Sequence, residues 1–136
     1  MAESAAGGLI AAELSRLPGS SDYFRGGIVA YDDASKVQLL GIPEALFLEH
    51  GSVSAEAASA MAEAARQLFG ATYGVGETGI AGPGGATPEK PVGLSYVAVA
   101  GPAGVHVRES RFAGDREANR QAAVREAVEL LLTTDY

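Results

Sequence analysis

The sequence predicts an α/β fold in which a mixed β-sheet carries helices on both faces. Three observations carry that expectation. Helix and strand patterns alternate through the first half of the chain, two strand patterns flanking Gly101–Gly104 read as a hairpin, and a helical pattern closes the chain. With 136 residues, the chain can bury one core well, whereas two separate cores would each be marginal. No internal repeat or linker divides it, so residues 1–136 read as one domain.

Leu9-Ile10, Leu14 and Leu17 recur at helical spacing and predict a first helix from about Ala5 to the stop at Pro18-Gly19. Gly27 to Tyr31 reads as a short buried strand. Asp32-Asp33 then form a turn and N-cap for a helix through Lys36 to Leu40. Gly41 ends that helix, and Pro43 opens another that runs to Glu49. Ser54 starts the clearest helix, an Ala-rich stretch of strong helix propensity that reaches Phe69 and stops at Gly70.

Ala71 to Gly76 reads as a strand. The Gly- and Pro-rich stretch from Glu77 to Pro91 reads as a loop, and loops of that length in small domains are usually functional or mobile. Val92–Val99 and Val105–Phe112 are the hairpin strands. Asp115 caps a last helix whose apolar positions include Ala118, Ala122, Val124, Ala127, Val128 and Leu131. The tail Thr133–Tyr136 is expected to fray.

Composition excludes several function classes. The formal charge is −7, and no basic stripe is available to neutralise phosphates, so direct nucleic-acid binding is not expected. The chain has no cysteine, which removes disulfides, thiolate zinc sites and a Cys nucleophile together. His50 and His106 are far apart and lack metal-ligand spacing, so no metal site is expected. No basic start followed by an apolar core suggests a signal peptide, and no apolar run approaches the ~20 residues of a membrane span. The simplest expectation is a cytoplasmic protein without membrane contact.

Four places could carry chemistry. Ser4 precedes Gly7-Gly8 at the predicted start of a helix, where free amide donors suit an oxyanion or phosphate; alternatively, Ser4 simply caps the helix. Lys36 lies one helical turn past a buried strand. Desolvated in a cleft it would be a general base, and otherwise it is a solvated surface lysine. The Thr78–Gly85 loop, with Gly79 and Gly82, follows a strand where α/β sheets bind ligands. It fits neither the Walker nor the dinucleotide fingerprint, and Lys90 at its far end could add a cation. Arg116, opening the last helix, could clamp a phosphate or pair with Glu117 on the surface.

In combination and in order, these segments resemble a known family. Ala2-Glu3-Ser4-x-x-Gly7-Gly8, Pro18-Gly19-Ser20-Ser21, Tyr23-Phe24-Arg25-Gly26-Gly27 and Tyr31 with Lys36 begin the match. His50-Gly51-x-Val53-Ser54, Thr78-Gly79-Ile80-Ala81-Gly82-Pro83, Thr87-Pro88-Glu89-Lys90-Pro91-Val92-Gly93 and Gly114-Asp115-Arg116 complete it. This set is similar to the C-terminal domain of the CinA family and spans nearly the whole chain. The resemblance implies a three-layer α/β/α fold and hydrolysis of the carboxamide of nicotinamide mononucleotide, with no cofactor or metal.

By the same resemblance Ser4 is the nucleophile and Lys36 its base, with Tyr31, Thr78 and Arg116 around the substrate. Amides of Gly7-Gly8 or of the Thr78 loop are expected to hold the oxyanion, and Arg116 the phosphate. The expected partner is a small nucleotide, and homo-oligomerisation stays open.

The chain departs from the family pattern in three respects. Ala5-Ala6 stand where the family usually has Cys-Thr. Glu77 stands where a small or apolar residue commonly precedes the threonine. The helix and strand that usually precede the first motif, and the family's other domain, do not occur in these residues. A stand-alone domain with an open sheet edge and a frayed Ser4 is therefore expected. The alternative function is a CinA-like paralogue that binds a mononucleotide without efficient turnover.

Overall fold

A computed structural model describes residues 1–134. Five strands form one mixed sheet in the order β2-β1-β3-β4-β5. The strands are β1 (Ala2–Glu3), β2 (Ile28–Val29), β3 (Gly74–Gly79), β4 (Leu94–Gly101) and β5 (Gly104–Arg111). β1 runs parallel to both β2 and β3, while β3, β4 and β5 are antiparallel. The helices are α1 (Leu9–Leu14), α2 (Asp33–Leu40), α3 (Glu44–His50), α4 (Ala55–Leu68) and α5 (Arg116–Thr133).

Strand alternation divides the core into two layers. Val75, Val97 and Val99 point to one face and pack with Ile10 of α1 and Val124, Ala127 and Leu130 of α5. On the other face α4 lies directly on the sheet, because the residues between are very small. Ala58 and Ala62 meet Ala98 and Ala100, and a Cβ at Gly76 would fall 2.3 Å from the Ala58 carbonyl oxygen. The rest of that face is closed by Leu40, Ile42 and Phe47 from α2, the α2–α3 connection and α3, together with Met61. Complete burial of a side chain such as Met61 contributes roughly 1.5–3 kcal/mol. The mixed sheet with helices on both faces is as predicted.

The start of the chain differs from expectation. Ala2 and Glu3 form an interior strand, bonded on both sides, so the first motif neither frays nor leaves an open edge. The predicted long first helix shrinks to Leu9–Leu14, because residues 4–8 are held in turns. Gly7 and Gly8 there have φ of 60° and 107°, angles that break a helix and that glycine adopts freely. The edge strand is instead β2, and it is not buried as predicted: Val29 is 46% exposed. A 3₁₀ turn at Ser20–Asp22 had no distinct signal in the sequence.

Caps of three helices follow the sequence closely. Asp32 accepts from the Ser35 amide, Ser54 from Ala57 and Asp115 from Ala118. β3 begins three residues later than expected and runs through Gly79, so Glu77 and Thr78 are strand residues and not loop residues. The buried stripe of α5 is Asn119, Ala123, Val124, Ala127 and Leu130, while Ala118 is exposed. Asn119 rotates the stripe, because its amide bonds the Gly114 and Ala81 carbonyls. Of the tail expected to fray, Thr133 belongs to α5 and Thr134 is buried, donating to Leu130. Asp135 and Tyr136 lie outside the described residues.

Candidate active site

The ends of β1 and β3 and the residues following β2 open into one cleft, of about 430 Å³, within the range of small-molecule sites. Ser4, Tyr31, Lys36, Thr78, Gly79, Gly82 and Arg116 all line it. Seven of the residues singled out from the sequence therefore meet in one place. Gly7 and Gly8 do not. Their amides are already committed, Gly7 to the Ser4 carbonyl and Gly8 to the Glu3 carboxylate.

Ser4 follows β1 directly and is 6% exposed. It is no helix cap, since α1 begins after Gly8 without a side-chain cap. Its hydroxyl donates to the Tyr31 carbonyl at 3.2 Å. Lys36, on the first turns of α2, is only 1% exposed, which rules out a solvated surface lysine. Its Nζ donates to the same Tyr31 carbonyl at 3.3 Å, and Asp33 Oδ1 lies 3.8 Å away. Burial holds the Lys36 ammonium below its ordinary pKa, against the opposing pull of Asp33, Glu77 and Asp32. A lysine so placed can reach the neutral form that accepts a proton.

The mouth of the cleft is tied across three segments. Arg116 donates to the Gly82 carbonyl at 2.7 Å and to the Tyr31 hydroxyl at 3.0 Å. It forms no ion pair among the described residues. Its neighbour Glu117 pairs with Arg120 instead. Thr78 is buried and donates to the Ser52 carbonyl at 2.8 Å, while the Ser52 hydroxyl donates to the Asp33 carboxylate. Lys90 is not an extra cation for the cleft. Its Nζ is bound to the carbonyls of His50 and Val53, where it braces the connection carrying Ser52.

Two buried carboxylates organise the turn that carries Ser4. Glu3 accepts from the amides of Gly8, Ile10 and Ala11, serving as the cap α1 otherwise lacks. Glu77 Oε2 accepts from Ser4 at 2.9 Å and from Ala6 at 3.1 Å. From α5, Arg120 donates to the carbonyls of Ala5 and Ala6.

Known proteins share this fold. The family profile described as CinA C-terminal domain matches residues 1–134. A CinA-like protein of Anaeromyxobacter dehalogenans is 49% identical over 131 residues, which cover 96% of this chain and 32% of the relative. One from Salinibacter ruber is 47% identical over 128 residues, 94% of this chain and 31% of the relative. The competence/damage inducible protein CihA of Agrobacterium tumefaciens superposes with a TM-score of 0.93 at 41% identity, covering 96% of this chain and 81% of that one. A CinA superfamily protein of Escherichia coli gives 0.92 at 29% identity, covering 96% and 76%. The chain belongs to the CinA family. It spans about a third of the length of the curated relatives it matches.

Within that family frame, several site residues carried little sequence signal. Glu77 reads as a loop charge until β3 is extended by three residues. Ser52 contributes its backbone, which no pattern marks. Asn119 and Arg120 sit on α5 after Arg116, and a polar residue in the middle of the apolar stripe was the available clue. Asp33, three residues before Lys36, was legible as a helix-start acid but not as the neighbour of a buried cation.

Proposed function

We propose that this CinA-family chain hydrolyses the carboxamide of nicotinamide mononucleotide, releasing ammonia and leaving nicotinate mononucleotide. The observation that carries the reading is the meeting of Ser4 Oγ and a buried Lys36 Nζ on one carbonyl oxygen at the cleft. An amide is a weak electrophile and needs an activated nucleophile together with a donor for the developing oxyanion.

Neutral Lys36 offers a lone pair, and the Ser4 hydroxyl turns from the Tyr31 carbonyl onto it. Ser4 Oγ then attacks the carboxamide carbon while Lys36 takes its proton. As the C–N bond breaks, Lys36 returns that proton to the leaving nitrogen and ammonia departs. Water, deprotonated by Lys36, attacks the acyl-enzyme. As the acyl–Oγ bond breaks, Lys36 returns that proton to Ser4, and the acid product leaves as its carboxylate with its proton released to solvent.

The oxyanion donor best supported is the Ala5 amide. It follows the nucleophile, has no acceptor among the described residues, and belongs to a residue that lines the cleft. This replaces the Gly7-Gly8 amides, which are occupied. Arg116 at the mouth supplies a fork of donors for the single phosphate, and Tyr31 and Gly82 hold it there until the ligand arrives.

One observation favours a second reading, mononucleotide binding without turnover. Asp33 and Glu77 both oppose the loss of the Lys36 proton. Ammonia release from nicotinamide mononucleotide, measured beside direct binding of the same compound, separates the two. Release at many turnovers per chain supports the deamidase, and binding with no release supports the alternative.

A further inference from the structure

We propose that Glu77 is a positioning residue for Ser4, holding the Ser4–Ala6 turn through the amides at both of its ends. The proposal deepens the deamidase reading and rests on it only for its kinetic measurement. Glu77 is wholly buried on the sheet face it shares with Val75, where a carboxylate is costly unless its oxygens are bonded. Its Oε2 grips the amides of Ser4 and Ala6, which flank the Ala5 amide. Two fixed peptide planes set where that middle amide and the Ser4 hydroxyl point. Ala5 and Ala6 have no side-chain hydrogen bond with which to do so.

Among the described residues the second oxygen of Glu77 has no partner, and neither does the buried Ser95 hydroxyl on β4. Both residues line a cavity of about 10 Å³ behind the cleft, with Ala5, Gly79, Ile80 and Ala81 common to both spaces. That volume is the room of one water, which could bridge the two groups.

The charged groups around Glu77 are Glu3 from β1, Lys36 from α2 and Arg120 from α5, while β4 presents the neutral Ser95. Desolvation, with some help from Glu3, raises the Glu77 pKa to about 7, although the Ser4 and Ala6 amides and Lys36 pull the other way. Ionised, Glu77 makes charge-assisted bonds to the turn; protonated, it makes weaker ones.

Glu77→Gln separates positioning from simple electrostatics, because the two predict opposite signs. Removing the negative charge lets Lys36 lose its proton more easily, so an electrostatic role alone would raise kcat at neutral pH. Loss of positioning lowers it. Gln keeps an oxygen for the two amides and turns its NH₂ toward Ser95, so the fold is retained.

The test follows the Ser4 and Ala6 amide resonances of ¹⁵N-labelled protein across the neutral range, with kcat and KM for nicotinamide mononucleotide over the same range. Both amides should titrate near the Glu77 midpoint in the wild type and stay flat in Glu77→Gln. The variant's kcat should fall about tenfold above neutrality, the loss of one charge-assisted positioning contact, with little change in KM. Amides that do not titrate in the wild type overturn the proposal, and so does a variant with undiminished kcat. If the wild type releases no ammonia, the deamidase reading fails separately. The labelling rate of Ser4 by a fluorophosphonate then replaces kcat, and an undiminished rate in Glu77→Gln overturns the positioning role.

Discussion

Glu3 and Glu77 stand opposite one another on the adjacent parallel strands β1 and β3, both fully buried, and divide the amides of one turn between them. Glu77 takes Ser4 and Ala6, and Glu3 takes Gly8, Ile10 and Ala11. Two carboxyl groups are accommodated side by side because five backbone donors converge on them. A buried carboxylate unsatisfied by such donors would be expelled or protonated. The motif that begins the chain is thus held from the sheet beneath it and not by its own side chains.

That arrangement makes stability depend on pH with a defined sign. Glu77 is raised from 4.5 to about 7, so between those values the folded chain binds more protons than the unfolded one. Its contribution is fully present below the unfolded value and is lost as pH rises through about 7. The full swing is roughly 3 kcal/mol. Denaturant titrations on both sides of this window should show Glu77→Gln gaining on the wild type as pH rises. A constant difference between them would contradict the shift.

Lys36 works in the other direction. Its folded pKa is lowered from 10.5, so stability rises with pH between the folded and unfolded values, and the neutral base becomes available over the same rise. Ammonia release should therefore increase with pH through the Lys36 midpoint. Lys36→Arg and Ser4→Ala should each reduce kcat by roughly 10³-fold or more, and the double variant should be little worse than either. An arginine variant that keeps most of the rate would exclude Lys36 as the base, since a guanidinium holds its proton.

Arg116 is exposed, and its bonds to Gly82 and Tyr31 are the kind a ligand can displace. Arg116→Ala should weaken binding of the mononucleotide roughly 10- to 100-fold, the worth of a bidentate phosphate contact, while stability moves by less than about 0.5 kcal/mol. The dephosphorylated riboside provides the control. It should bind the wild type and the variant equally, and a parallel loss for both compounds would assign Arg116 a role other than phosphate recognition.

Helices with caps were the most legible part of the fold, because Asp32, Ser54 and Asp115 act locally and their effect is complete within one turn. Strand limits were less so. Gly74, Gly76 and Gly79 carry no strand propensity, and what makes them strand is pairing with β4 and the approach of α4. At the site, Ser4, Lys36 and Arg116 were visible as chemistry. Their neighbours were not, because the Tyr31 and Ser52 carbonyls that receive Ser4, Lys36 and Thr78 are backbone groups. Glu77 was misread because a loop carboxylate and a buried strand carboxylate look identical in sequence, and only the register of β3 with β1 tells them apart.

The approach of α4 also makes a prediction at a distance from the chemistry. A Cβ on Gly76 would lie 2.3 Å from the Ala58 carbonyl oxygen and 2.6 Å from the Ala62 amide nitrogen. Both are helix backbone, so no side-chain rotation relieves the clash and the helix must lift from the sheet. Gly76→Ala should cost about 3 kcal/mol or more. Gly84→Ala, where an added Cβ meets nothing within 4 Å, should stay within about 0.5 kcal/mol. The connection entering α4 carries Ser52, whose carbonyl receives Thr78 and whose hydroxyl reaches Asp33 beside Lys36. Lifting α4 should therefore lower kcat in whatever fraction of Gly76→Ala remains folded, when rates are corrected for folded protein by denaturant titration. A variant that is destabilised yet turns over normally per folded chain would show that the cleft is insulated from the position of α4.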